Sequence, residues 1–259
     1  MRALFVVFVL FLGMSLKAQD YQVIHVKGEI SRVESGNLLK PGDKVSADEQ
    51  INFKSSDAMA AVLNSEMGRF ILKANPDEKK SGNLIYVLKS TVTPVRGGMS
   101  TRATGINNAF DLKVYFAEAP YVWVGNFVVL KMSSIAFPMD EDNFFFLRYT
   151  WKGDQINKKL GYDADKLVVN KEEVFKIDGS EIDPYEATDF RLYYYKSGNE
   201  ESELITEISF VLIDQESLMN VYEALKDQSK YPFNDVADLF SSMYGKCDAV
   251  QVQYNIKNQ

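Results

Sequence analysis

Few side chains in this sequence can carry out acid–base or nucleophilic chemistry. The sequence contains one histidine, His25, and one cysteine, Cys247. Histidine is the usual general base near neutral pH, but no motif places an acidic or nucleophilic residue beside His25. Residues 98–102 come closest to the Gly-x-Ser-x-Gly elbow of serine hydrolases and lack its last glycine. We therefore expect His25 to be structural and Cys247 to be a buried, unpaired small side chain.

Metal and cofactor chemistry has little support in the sequence. One histidine and one cysteine cannot build an ordinary zinc site, and no phosphate-binding glycine motif is present. We therefore predict no cofactor and no metal. Carboxylate chemistry is still available in the acidic run Asp140-Glu141-Asp142, because a glycoside hydrolase needs only two carboxyl groups and calcium prefers oxygen ligands. The flanking Pro138 and Asn143 favour a solvated turn instead.

Aromatic residues cluster in three segments near this acidic run. They make up 13% of the chain and concentrate at 121–123, 144–151 and 193–195. Consecutive residues of a strand point to opposite faces, so either both faces are covered or one aromatic face is exposed. We expect two late helices to cover the second face. An exposed face would bind a protein or a glycan, and its candidate residues are Trp123, Asp140, Asp142, Trp151 and Tyr194.

Short strands and turns precede these segments. Residues 21–26 form a strand-like run that ends at Gly28. Lys40-Pro41-Gly42-Asp43 has proline and glycine where a type II turn requires them. Residues 50–54 alternate polar and apolar side chains, as a half-buried strand does. The polar run 64–68 between two apolar runs is typical of a hairpin turn. The sequence therefore predicts a small all-β module over 19–96.

Part of this module resembles the periplasmic FecR-type β repeat. The resemblance covers residues 27–72 and rests on Gly-Asn-Leu-Leu-Lys-Pro-Gly-Asp at 36–43, the strands that follow it, and the late glycine at 68. FecR-type proteins relay signals from an outer-membrane receptor to a sigma factor, through a membrane span and a cytoplasmic segment. The sequence contains no match to those two parts. The resemblance implies an extracytoplasmic β module.

The remaining chain divides into a linker and a second domain. Residues 97–109 are polar, rich in glycine and without apolar periodicity, so we predict a linker there, with a functional loop as the alternative. From 110 to 259 the pattern predicts an α+β domain with a mainly antiparallel sheet and two C-terminal helices. Asp214 is predicted to cap the first helix and Asn234 the second. Alternation over 249–256 predicts a closing strand.

The first residues and the charge indicate where the protein works. A basic start, an apolar run over 3–14 and small residues near 18 are typical of a secretory leader, which we expect to be cut after Ala18. That run is too short to span a bilayer. The chain has 29 basic and 36 acidic residues, a formal charge of -7, which disfavours nucleic-acid binding.

Together these features predict an exported, non-enzymatic protein. We expect it in the periplasm or outside the cell, without a transmembrane anchor, binding or scaffolding a protein partner of the cell envelope. The alternatives are a carboxylate-based glycan hydrolase or glycan-binding protein and a FecR-like signalling component. The sequence does not indicate an oligomeric state.

Overall fold

A computed structural model describes residues 20–47, 49–66, 68–74, 82–83, 106–117, 119–199 and 201–258. The predicted leader, residues 84–96 of the predicted β module and residues 97–105 of the predicted linker lie outside the described residues. The chain divides into two compact units, 1–94 and 95–259. Its fold class is α+β, with an all-β N-terminal region, as the sequence predicts.

The described part of the N-terminal unit contains two small antiparallel sheets. Its strands are β1 (Asp20–Lys27), β2 (Ile30–Arg32), β3 (Lys44–Ser46), β4 (Gln50–Phe53), β5 (Met59–Asn64), β6 (Gly68–Lys73) and β7 (Gly82–Asn83). One sheet has the order β3-β1-β5-β6 and the other β2-β4-β7. Side chains from both sheets share one core that includes Val23, Ile51 and Leu72. His25 is buried in β1.

Two predicted turns of this unit are confirmed. The amide of Asp43 donates to the Lys40 carbonyl at 3.1 Å, and Gly42 has a φ of +92°, the left-handed conformation that a type II turn requires at its third position. Gly68 also has positive φ and ends the turn that joins β5 to β6, which pair from Asn64 and Gly68 onward.

The second unit contains the larger core. Its first described helix is α1 (Ala109–Ala117), which is followed by a series of mostly antiparallel strands. These are β8 (Tyr121–Val124), β9 (Phe127–Lys131), β10 (Asn143–Trp151), β11 (Asp154–Lys159), β12 (Gly161–Asp163), β13 (Lys166–Asn170), β14 (Lys176–Ile177), β15 (Ser180–Glu181), β16 (Ala187–Lys196), β17 (Glu201–Glu207) and β18 (Phe210–Ile213), with a short helix α2 (Lys171–Val174) after β13. The main sheet has the order β11-β10-β16-β17, and a second sheet the order β12-β13-β9.

Three helices follow β18. They are α3 (Gln215–Leu225), α4 (Pro232–Tyr244) and α5 (Ala249–Lys257). The predicted cap of α3 is confirmed, because the Asp214 carboxylate accepts the Ser217 amide at 2.6 Å. Helix α4 begins two residues before its predicted cap, Asn234, since Pro232 occupies its first turn without a side-chain cap bond. Proline suits that turn because its missing N–H would have no helical partner there.

The final segment is helix α5, so the strand predicted at 249–256 is wrong. Its alternation of apolar residues suggested a strand, yet Val250 is 53% exposed while Gln251 and Asn255 are buried. The Gln251 amide donates to the carbonyl of Val122 at 3.0 Å. Asn255 accepts the amides of Asn126 and Phe127 at 2.7 and 2.8 Å. These two polar side chains lie one helical turn apart and bind the backbone of β8 and β9. Their hydrogen bonds favour a helix over the strand that the alternating pattern predicts.

The segment 203–213 also differs from its prediction. Its sequence predicts a single strand that pairs with residues 190–196, because Leu204, Ile208, Phe210 and Leu212 share one side of an extended chain. In the structure only β17 pairs with β16, and the register shifts between Leu192 and Tyr193. This bulge turns Leu204 outward, where it is 48% exposed, because an extra residue in one strand reverses the alternation beyond it. Residues 210–213 instead pair in parallel with β8.

The described residues include no helix that is both long and apolar enough to cross a membrane.

Candidate functional site

Two of the five predicted surface residues are buried. Trp123 has no exposed surface and packs against Phe175 and Phe210 in the core. Tyr194 is 1% exposed, and its hydroxyl donates to the Pro138 carbonyl at 2.6 Å. Burial, with the nearby charge of Asp140, raises the pKa of Tyr194 to about 12. Both residues face the core, so predicting them as parts of a binding surface was wrong.

The other three predicted residues lie at two separate places. Trp151 ends β10, packs against the core and donates its indole N–H to Glu186 at 3.1 Å. The Asp140 carboxylate accepts the backbone amides of Asp142 and Asn143 at 2.9 and 2.7 Å. These bonds join the side chain to the backbone of the same exposed turn and stabilise that turn, as aspartate side chains commonly do. The structure therefore does not bring Trp123, Trp151 and the acidic turn together.

The pKa of Asp140 agrees with its role in this turn. Although partial desolvation acts to raise the pKa, the hydrogen bonds from Asn143 and Asp142 and the charge of Lys159 hold it below its usual range. Asp140 is therefore an ionised carboxylate, which accepts hydrogen bonds and cannot serve as a general acid near neutral pH. Across the described residues, no group of three or more His, Cys, Asp or Glu side chains is arranged to hold a metal ion.

A different set of aromatic residues reaches the surface of the main sheet. In β10 the residues alternate, with Phe145, Leu147 and Tyr149 buried and their neighbours half-exposed. In β16 the same alternation buries Leu192 and Tyr194 and leaves Tyr193 and Tyr195 half-exposed. The side chains on this solvent side form a surface that we call the outer aromatic face, which consists of Phe144, Phe146, Arg148, Lys159, Tyr193 and Tyr195.

The rings of this face pair across the two central strands. Phe146 stacks on Tyr193 with ring centroids 5.0 Å apart and 7° between the ring planes. Phe144 lies 5.1 Å from Tyr195. Such cross-strand pairs stabilise a sheet, and the stacking of Phe146 on Tyr193 occupies one face of each of these rings.

Arg148 lies beside these rings with a fixed orientation. Its Cζ is 4.6 Å from the centroid of the Tyr193 ring and 5.8 Å from that of Phe146. The Nε–H donates to the Asn157 side chain at 2.7 Å, and Nη1 donates to the Tyr193 hydroxyl at 3.5 Å. Stacking on aromatic rings suits the planar, weakly hydrated guanidinium. Arg148 is therefore oriented before any partner arrives.

Charged and apolar residues border the face. Lys159 lies 4.1 Å above the Phe144 ring, near the acidic turn, where its Nζ donates to the Glu141 carbonyl at 3.4 Å. At the opposite border, Arg191 pairs with Glu207 at 3.1 Å. Leu204, the register partner of Tyr193, adds exposed apolar surface.

The C-terminal helices do not cover this face. They pack against β8 and β9, whereas the outward side chains of β10 and β16 keep part of their surface in solvent. The expectation that these helices cover the second aromatic face is therefore wrong.

The sequence contains a signal for the outer aromatic face. Arg148 occupies the same alternation as Phe144 and Phe146, and Arg191 the same alternation as Tyr193 and Tyr195. Because arginine is rarely fully buried, these two charges indicate which side of each strand faces solvent. Tyr194 lies on the other side of the strand from Arg191, and it therefore faces the core.

A cleft lies beyond Arg191. It has a volume of about 630 Å³ and is lined by α1, β16, β17 and the start of β18, including Phe116, Phe190 and Phe210. Two carboxylates, Asp189 and Glu207, also line it. Asp189 has a φ of +55°, a left-handed conformation uncommon for a residue other than glycine, although aspartate tolerates it better than most. The cleft is thus a second candidate site.

Comparison with known proteins gives no relative. No family model, no curated protein and no solved structure matches the chain.

Proposed function

We propose that this protein is an exported component of the cell envelope that binds another protein through the outer aromatic face. The observation that carries the proposal is the solvent side of β10 and β16, where two cross-strand ring pairs and an oriented arginine remain half-exposed. Tyrosine, phenylalanine and arginine are enriched at protein interfaces, and tyrosine and arginine are enriched among the few residues that supply most of the binding energy. Export is inferred from the leader-like first residues. The FecR-like resemblance of residues 27–72 is compatible with this location.

Site-specific photo-crosslinking in cells that naturally contain the protein tests the proposal. A benzophenone side chain at Ser202 would stand at the border of the face, because Ser202 is exposed and is the register partner of Tyr195. The matched control places it at Tyr231, which is 61% exposed before α4. We expect a discrete protein adduct from position 202 that is absent from position 231.

A double substitution makes the same experiment more specific. Replacing Phe146 and Tyr193 by serine removes the central stacked pair, so the adduct from position 202 should disappear. A circular dichroism spectrum and a melting curve of the double variant establish that it remains folded. Equal adducts from 202 and 231, no adduct at all, or an adduct that the folded double variant retains would each count against the proposal.

The cleft supports a second candidate, a carboxylate-based glycan hydrolase. The specific observation is that Asp189 and Glu207 line the same cavity, and glycoside hydrolysis needs two carboxyl groups across a substrate. The ion pair between Glu207 and Arg191 leaves this candidate weaker than protein binding. Release of reducing sugar from envelope polysaccharide, lost in Asp189→Asn and in Glu207→Gln, would support it.

A further inference from the structure

The outer aromatic face concentrates positive charge on an acidic protein. Three cations lie on or beside it, Arg148, Lys159 and Arg191, whereas the whole chain has a formal charge of -7. Of these, Arg191 is paired with Glu207, and the charge of Lys159 acts on Asp140. Within the described ranges no carboxylate lies within ion-pair distance of Arg148, so the centre of the face carries an uncompensated positive charge.

The guanidinium of Arg148 has hydrogen-bonding capacity left for a partner. A guanidinium has five N–H donors, and the contacts with Asn157 and Tyr193 engage only Nε and Nη1. A carboxylate is the protein group that best matches the remaining donors, since it can accept two parallel hydrogen bonds from one guanidinium. Because stacking and hydrogen bonds already fix the orientation of Arg148, little side-chain entropy is lost on binding.

The apolar surface beside Arg148 repeats with the spacing of an extended chain. Phe144, Phe146 and Arg148 are successive outward residues of β10, so their positions along the strand are about 7 Å apart. Side chains on one side of an extended peptide have the same repeat. One such peptide could place apolar side chains over the two ring pairs and a carboxylate over Arg148.

We propose, building on the function proposed above, that the outer aromatic face binds an extended acidic segment of its protein partner, with a carboxylate on Arg148 and apolar residues two and four positions away. A second copy of this chain is a poor occupant, because two such faces would oppose their positive charges. A glycan is also a poor occupant, because sugars stack on ring faces, and each ring here already has a neighbouring ring or cation beside it.

Defined peptides and the full exported chain test this inference. The probes are three fluorescein-labelled, end-blocked pentapeptides, Val-Ser-Val-Ser-Glu and its variants with Gln or Lys at the last position. Fluorescence anisotropy measures the binding of each. The Glu peptide should bind about tenfold more tightly than the Gln peptide, the effect of one charge-assisted pairing, and the Lys peptide should bind most weakly.

Substitutions at Arg148 assign this preference to one side chain. Arg148→Gln should remove the preference for Glu over Gln, and Arg148→Lys should keep part of it, because lysine retains the charge without the planar donor pair. The matched control is Lys166→Gln on β13, which changes the charge equally at an exposed residue of another sheet and should leave the preference unchanged.

Several outcomes would overturn the inference. They are equal binding of the Glu and Gln peptides, no binding of any peptide, or a preference that survives Arg148→Gln. Binding to phosphatidylglycerol vesicles that requires Arg148, without any peptide preference, would assign the face to a membrane surface instead. If the crosslinked adduct from position 202 forms equally well with Arg148→Gln, protein binding stands and the acidic segment is refuted. If no adduct forms in any variant, the proposed function itself fails.

Discussion

The side chain of Asn255 should contribute strongly to the stability of the second unit. It is 2% exposed and accepts the amides of Asn126 and Phe127 at 2.7 and 2.8 Å, while its own amide donates to the Phe127 carbonyl at 2.7 Å. The same side-chain amide also donates to the Gln251 carbonyl at 2.9 Å, so Asn255→Ala removes four bonds. A buried donor without a partner costs about 1–3 kcal/mol, so two orphaned amides cost about 2–6 kcal/mol.

Helix propensity acts in the opposite direction. Alanine is favoured over asparagine within a helix by about 0.6 kcal/mol, which reduces the net expected loss of unfolding free energy to about 3 kcal/mol. The matched control is Asn258→Ala at the end of the same helix. Asn258 is exposed and donates only to the Tyr254 carbonyl at 2.8 Å, so its replacement should change the unfolding free energy by less than about 0.5 kcal/mol.

Urea unfolding followed by tryptophan fluorescence measures this difference. Both tryptophans, Trp123 and Trp151, lie in the second unit, so the signal reports on the unit that contains Asn255. Hydrogen exchange at the Asn126 and Phe127 amides should also accelerate in Asn255→Ala. The reasoning would be refuted by a loss below about 1 kcal/mol, or by equal losses for Asn255→Ala and Asn258→Ala.

Two further changes should alter stability in a predictable way. Gly125→Ala should cost about 3 kcal/mol of unfolding free energy in the same urea assay, because φ is +74° and the new Cβ would lie 2.6 Å from Asn255 Oδ1. The control Gly153→Ala should cost about 1 kcal/mol, because Gly153 has a φ of +93° but open space around it. Equal costs for the two variants would contradict the argument. Burial raises the pKa of Asp248 to about 6, whereas an aspartate in an unfolded chain has a pKa of about 3.9. The folded state therefore binds this proton more tightly than the unfolded state. Stability should fall by up to about 3 kcal/mol as pH rises from about 4 to 6. Asp248→Asn should remove that part of the pH dependence, and the difference between the two pH–stability curves measures it; parallel curves would show that Asp248 does not contribute.

The local elements with strong turn or capping chemistry were the ones predictable from sequence. Asp214 caps α3 as expected. Asp-Gly is a pair typical of tight hairpin turns, and Asp178-Gly179 forms such a turn between β14 and β15, with φ of 49° and 84°. These features depend on a few neighbouring residues, whose conformational preferences act locally. The α+β class follows from the same kind of information.

The elements that failed depend on contacts between distant residues. Helix α1 was not predicted, because its apolar and aromatic composition favours a strand, although Leu112 and Phe116 lie one turn apart and are both buried. Helix α5 depends on hydrogen bonds to strands far earlier in the chain. The face of Leu204 depends on a bulge between β16 and β17, which periodicity alone does not reveal.

The candidate site was only partly predictable. Aromatic clustering left two alternatives, a covered second face and an exposed one; the expected coverage is wrong, and the half-exposed face has other members than the predicted residues. Tyr194 was wrongly chosen because three consecutive tyrosines do not indicate which of them faces the core. Leu192 and Arg191 in the same strand do indicate it, since one is apolar and the other charged.

The long sequence separation between α5 and its binding strands affects when this unit can finish folding. Asn255 and Phe127 lie 128 positions apart, so a chain delivered N-terminus first, from a ribosome or through a channel, exposes the backbone of β8 and β9 until α5 arrives. Contacts of such separation slow folding. During that interval the unfinished strand edges are the region where a chaperone would protect the chain and where aggregation would begin.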